Sequence, residues 1–219
     1  MDDELVERLE RLCERQRRTI VGIAGCPGAG KSTLAESLVD RIDPDRVRAT
    51  CVPLDGFHLA DAELDRLGIK ARKGAIETFD AHGYLALLTR IRHDTRNTVY
   101  APNFDRDIEQ PVAGHIPVFP GTRLVLTEGN YLLDSAQPWP EIRAQLDEVW
   151  FCDIDDETRQ ARLVARHVRF GKTPAQAQEW VARVDERNAE RIKRTGHQAD
   201  LVLPAVPRAP SPASLRNLS

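Results

Sequence analysis

Residues 25–33, Gly-Cys-Pro-Gly-Ala-Gly-Lys-Ser-Thr, join three glycines to a lysine and two hydroxyls, the residue types needed to hold a polyphosphate. The spacing G-x-x-x-x-G-K-[ST] is filled by Gly25, Gly30, Lys31 and Ser32, and Gly28 adds a further flexible point. Glycines let the backbone curl around an oxyanion and turn successive N–H groups inward, while a following helix adds the partial positive charge of its N-terminus. Cys26, Pro27, Ala29 and Thr33 complete the expected contact surface. Lys31 is expected to reach the β- and γ-phosphates of ATP, and Ser32 to hold Mg2+. A glycine turn between two core elements would account for the glycines, but not for Lys31 and Ser32 at a helix start.

Two acids occupy the other chemically telling positions. Asp55 ends the apolar run 47–54, and Glu128 follows the run 124–127. In an open α/β sheet, the ends of the strands are where the chemistry is presented. Phosphoryl transfer itself depends mostly on positioning and electrostatics: a cradle, a metal site, a base near the acceptor hydroxyl, and mobile cations over the γ-phosphate.

The elements that must position these groups can be read in order. Leu5, Leu9 and Leu12 predict an amphipathic helix over 2–17. The β-branched run before the cradle predicts a strand, and the leucine-bearing segment after it a helix. Further strands are expected at 47–54, 123–128, 147–153 and 200–203, and helices at 59–67, 81–92, 157–170 and from Pro174 to about Lys193. Residues 99–106 read as a short strand or extended segment, and 112–120 as an irregular or hairpin-like excursion. The whole suggests one domain over 1–203, with an acceptor-region insertion at about 56–120, a lid at about 159–173, and a loosely ordered proline-rich tail at 204–219.

Composition narrows the function classes. The chain has 219 residues, 41% hydrophobic and 30% charged, with a net charge of −3. That near balance lacks the basic field of a general nucleic-acid binder, so no nucleic-acid partner is expected. Mixed charge in the first twenty residues fits neither a signal peptide nor a spanning helix, so a cytoplasmic location without a membrane partner is expected. Cys13, Cys26, Cys51 and Cys152 are too widely spaced for a zinc pattern and are read as reduced thiols. Cys26, in the loop beside Lys31, is expected to have thiolate character.

With Gly25 to Ser32, Asp55-Gly56-Phe57, Arg72-Lys73-Gly74 through Glu77-x-Phe79-Asp80, and Glu128-Gly129-Asn130 in place, residues 19–192 resemble the P-loop small-molecule kinases grouped as phosphoribulokinase, uridine kinase and pantothenate kinase. The resemblance implies a three-layer α/β/α fold with a five-stranded parallel sheet in the order 2-3-1-4-5. It also implies an ATP-dependent kinase acting on a hydroxyl of a small metabolite of the pantothenate, nucleoside, sugar or glycerate class. By the same likeness Asp55 is the base, Glu128 acts on Mg2+ through water, and Arg162, Arg166 and Arg169 resemble lid cations, with Arg166 the first choice. Tyr100, Asn103, Phe104, Asp105 and Arg106 look like the acceptor segment, Arg72 and Lys73 are candidate clamps for an anionic substrate, and His58 and Asn130 are further candidate acceptor contacts. The chain is shorter than the pantothenate kinases, so the acceptor stays open, and a homodimer is kept open as the assembly. A nucleotide-dependent switch or assembly factor is the alternative; a guanine-reading Asn-Lys-x-Asp tetrad, the mark of a GTPase switch, does not occur in the sequence.

Overall fold

The computed structural model describes residues 2–15 and 17–204. The expected proline-rich tail lies, from residue 205 on, outside the described residues. The chain opens with α1 (Asp2–Cys13), β1 (Thr19–Gly25), α2 (Lys31–Ile42) and β2 (Ala49–Pro53). The middle of the chain holds α3 (Asp61–Arg66), α4 (Ala81–His93) and the pair β3 (Val99–Asp105) and β4 (Gln110–Val118). It continues through β5 (Leu124–Gly129), α5 (Trp139–Ala144), β6 (Glu148–Cys152), α6 (Asp156–Arg169), α7 (Pro174–Trp180), α8 (Glu186–Lys193) and β7 (Leu201–Leu203).

Among the described residues five parallel strands form one sheet in the order β2-β5-β1-β6-β7. Counting only those strands, this is the expected order 2-3-1-4-5. All seven residues of β1 are buried, as a central strand covered on both faces requires. Its alternation divides the core. Val21 and Ile23 join Leu5, Leu9 and Leu12 of α1 and Leu34 and Leu38 of α2 on one face. Ile20 and Ala24 join Tyr84, Leu88 and Ile91 of α4, Trp139 and Ile142 of α5, and Ile192 of α8 on the other. Among the described residues no helix is long and apolar enough to cross a membrane.

Three local features differ from the sequence reading. Residues 110–118 form a nine-residue strand, antiparallel to β3 with a register shift between Ala101 and Asn103. Pro111 and Pro117 are tolerated there because each strand of a two-stranded ribbon is an edge. The helix α5 was not foreseen: Pro138 and Pro140 stand at its start, where proline is permitted, and burial of Trp139 and Ile142 secures the segment. The last long helix contains a π-helical turn at Val181–Asp185 between α7 and α8. Its start carries a full capping box, Thr173 with Gln176.

Candidate active site

Parallel strands deliver their C-terminal ends to one edge, and register decides which residues meet there. Glu128 pairs with Ile23 of β1 on one side and Pro53 of β2 on the other. It therefore lies between the cradle that follows β1 and Asp55, which follows β2.

In the cradle, Gly28 and Gly30 take φ values of 84° and 92°, left-handed conformations that a side chain would strain. Gly30 caps α2, and Lys31, its first residue, is only 7% exposed. Lys31 Nζ bends back to donate to the Cys26 carbonyl at 3.0 Å and to Asn130 Oδ1 at 2.8 Å. Ser32 Oγ donates to Glu128 Oε1 at 2.7 Å. Thr33 is exposed on the first turn of α2, while Pro27 and Ala29 of the loop are buried. Cys26 is buried as well, its sulfur 3.7 Å from the Ala189 carbonyl oxygen, and burial pushes its thiol up despite Lys31 nearby. The expected thiolate character is thus overturned: desolvation outweighs the cation.

Asp55 lies in a single 3-10 turn, Leu54–Phe57, directly after β2. The following Gly56 is where the β3–β4 hairpin docks, since a Cβ there would stand 2.5 Å from the Pro102 carbonyl oxygen. That docking brings Arg106 into an ion pair with Asp55 Oδ2. His58 Nδ1 lies 2.9 Å from the Asp55 carbonyl oxygen, and its ring sits 4.1 Å from Phe79 and 5.1 Å from Phe104.

The two acids are pushed in opposite directions. Burial raises the Asp55 carboxyl, but His58, Arg106, Arg166 and Lys31 more than offset it and hold it below the usual carboxylate range. Burial and the Asp55 charge push Glu128 up, with Lys31 and the Ser32 hydroxyl compensating only in part. A buried carboxylate short of positive charge, with a serine hydroxyl beside it, suits Mg2+, which favours oxygen donors and takes its remaining positions from water and phosphates. Ser32 and Glu128 are the residues that would hold it.

Of the arginines expected as lid cations, Arg162 reaches the loop, its Nη1 lying 3.8 Å from the position of a Cβ built on Gly30. The charge of Arg166 acts on Asp55. Arg169 instead lies over the Phe170 ring at 5.7 Å. The sequence reading passed over Arg159, which is fully buried behind the loop. It bonds Asp156 and Glu186, packs its carbonyl against Gly28, and has an Nη1 without a partner among the described residues. Its spacing of three and seven from Arg162 and Arg166 is the signal that places all three on one helix face.

The acceptor candidates divide. Lys73 Nζ binds Asp61 Oδ1 at 2.6 Å and the Glu109 carbonyl at 2.7 Å, and sits 5.2 Å from the Phe104 ring centre. Arg72 pairs with Glu77 at the surface. Tyr100 is 59% exposed, opposite Pro117 in the hairpin. Asp105 accepts from the Asp107 and Ile108 amides and so shapes the hairpin turn. Asn130 holds Lys31. Arg106, noted in the sequence only within the acceptor segment, is the hairpin residue that meets Asp55.

The chain as a whole is similar to known proteins. A family model described as the phosphoribulokinase / uridine kinase family matches residues 20–210. The chain is 35% identical over 211 residues to a Schizosaccharomyces pombe protein named "Putative uridine kinase C227.14", covering 92% of this chain and 89% of that one. It superposes on a Silicibacter sp. TM1040 crystal structure described as a "putative fructose transport system kinase" with TM-score 0.84 and 35% identity, over 93% of this chain and 99% of that one. YFH7 of Saccharomyces cerevisiae shares the fold with TM-score 0.78 at 20% identity, over 95% and 98% of the two chains. A family model matched over most of the chain and a relative 35% identical across it show that the chain belongs to the phosphoribulokinase / uridine kinase family of P-loop kinases.

Proposed function

We propose that this P-loop kinase transfers the γ-phosphoryl group of ATP to a hydroxyl of a small metabolite, with Asp55 as the base. The observation that carries the reading is the position of Asp55: one turn beyond β2, within the fields of Lys31 and Arg166, and beside an acid suited to Mg2+. ATP with Mg2+ supplies the phosphoryl group and part of the charge neutralisation. Lys31 and the loop amides hold the β- and γ-phosphates, and Arg162 and Arg166 stabilise charge developing on the transferring group. Asp55 accepts the acceptor's hydroxyl proton as its oxygen bonds to phosphorus and the bond to ADP breaks. Burial makes Asp55 a poorer anion and the surrounding cations keep it ionised, so it is ready to accept a proton at neutral pH.

Relatives whose printed names point to uridine and to fructose support a hydroxylated small-molecule acceptor without agreeing on one. The test is ADP release across pantothenate, uridine, cytidine, fructose, ribulose 5-phosphate and glycerate. Asp55→Asn is expected to lower kcat roughly 10²- to 10⁴-fold while ATP affinity stays nearly intact. Lys31→Ala is expected to abolish transfer and weaken ATP binding. A kcat within a few-fold of wild type in Asp55→Asn, with only the acceptor KM raised, would make Asp55 a holding group and not the base.

A further inference from the structure

We propose that Arg106 selects an acceptor carrying an anionic group, a carboxylate or a phosphate monoester, and that its ion pair with Asp55 is the resting state such an acceptor opens. This rests on the kinase reading above and names the acceptor class for that site.

Four observations carry it. Arg106 and Asp55 are paired, yet their side chains retain 39% and 30% exposure, so a small molecule can reach both. The other cations on the acceptor side are committed elsewhere: Lys73 to Asp61 and the Glu109 carbonyl, Arg72 to Glu77. Arg106 alone among these three is held by the acid that must be vacated for chemistry. Its guanidinium also lies 4.7 Å from the Phe104 ring centre, an aromatic platform that orients the planar fork. Finally, its backbone position is set by the hairpin while its side chain is held only by contacts at the partly exposed site. It opens the four-residue turn between β3 and β4, Asp105 braces that turn, and Gly56 seats the hairpin on the Asp55 turn.

Chemistry then requires an exchange. For Asp55 to take the hydroxyl proton, a carboxylate oxygen must face the acceptor; Arg106 occupies Oδ2, and Oδ1 lies toward His58, 4.0 Å from its Nδ1. A carboxylate or phosphate on the acceptor offers the guanidinium a bidentate partner in place of the single Nη2–Oδ2 contact it gives up. Asp55 is released as the substrate is seated, the proton passes from hydroxyl to Asp55, and the new oxygen–phosphorus bond replaces the one to ADP. A neutral acceptor must separate the pair with nothing to replace it. Arg106 is thereby a substrate-binding residue that couples recognition to release of the base.

The experiment measures kcat and KM by ADP release for wild type, Arg106→Gln and Arg106→Lys. Its three arms are carboxylates (glycerate, pantothenate), phosphate monoesters (ribulose 5-phosphate, fructose 6-phosphate) and neutral acceptors (uridine, cytidine, fructose). Expected is a wild-type kcat/KM for a carboxylate or a phosphate monoester at least about ten-fold above every neutral acceptor, with the better arm identifying the anion. Arg106→Gln should collapse that ratio to within about three-fold, chiefly through KM, and Arg106→Lys should recover part of it. Lys31-dependent turnover of a neutral acceptor in preference to both anionic arms overturns the inference and leaves the kinase reading standing. An anionic preference that survives Arg106→Gln also overturns it. No ADP release above the Lys31→Ala background in any arm removes both.

Discussion

Ser32 Oγ donates a hydrogen bond to Glu128 Oε1 at 2.7 Å, joining the first turn of α2 to the C-terminal end of β5 across 96 residues of chain. Both groups lie at the cradle end of the sheet and carry oxygen donors of the kind Mg2+ takes. Removing the carboxylate should therefore act through the metal. In Glu128→Gln the Mg2+ concentration for half-maximal activity should rise about 10- to 100-fold and kcat should fall. A Mg2+ titration of ADP release checks this, and an unchanged midpoint would detach Glu128 from the metal.

Gly56 should tolerate no side chain. A Cβ would stand 2.5 Å from the Pro102 carbonyl oxygen and 2.7 Å from its carbon, so the hairpin must lift away from the Asp55 turn. Gly56→Ala should cost about 1–3 kcal/mol in urea unfolding. It should also raise the acceptor KM while the KM for ATP stays near wild type, because the cradle is not part of that contact. Equal rises in both would point to a general loosening of the sheet edge.

The lid should respond unevenly. The N-terminal half of α6 is anchored by buried Arg159, which ties it to α8 through Glu186. The C-terminal half is held by His167 against Asp185 at 2.9 Å and ends at Arg169, two residues before Gly171 with φ at 96°. Amide exchange should be slow over 156–163 at all times, and over 164–172 should slow on adding a non-hydrolysable ATP analogue. Uniform exchange with no nucleotide effect would remove the lid assignment.

Acid stability should carry the mark of Asp134, whose carboxylate takes two bonds from Arg191 of α8, at 2.6 and 2.8 Å, and one from the Ala136 amide. Burial alone would raise this carboxyl, and those donors hold it below the ordinary value. Its stabilisation is then fully present above the unfolded-state pKa, about 3.9, and lost as pH falls through the lower folded value. Arg191 is half exposed, which discounts the pair, so Asp134→Asn should cost about 1–2 kcal/mol at pH 7. Once the pH has fallen below the lowered folded value, the variant and wild type should converge. A difference that persists at that pH would assign the loss to packing.

The phosphate cradle and the strand-end acids were legible before the fold was seen because each is written in a short window of chain, whereas the sheet order came only from the family resemblance. Glycine spacing sets backbone curvature, alternation and helical periodicity set the faces, and an apolar run places its terminal acid at the sheet edge. Partnership was not legible, because it is decided between segments far apart. Lys31 meets Asn130 across 99 residues, and Asp55 meets Arg106 across 51, through a hairpin whose docking hangs on the absence of a side chain at Gly56. Burial behaves in the same way. Cys26 looked like a reactive thiol from its loop and its neighbour Lys31, but packing against α8 removed it from water, and desolvation outweighs a nearby charge. Sequence determined which chemical groups the chain carries to the sheet edge; tertiary packing alone decided which of them touch, because contact distance and dielectric are properties of the assembled core and not of any local stretch.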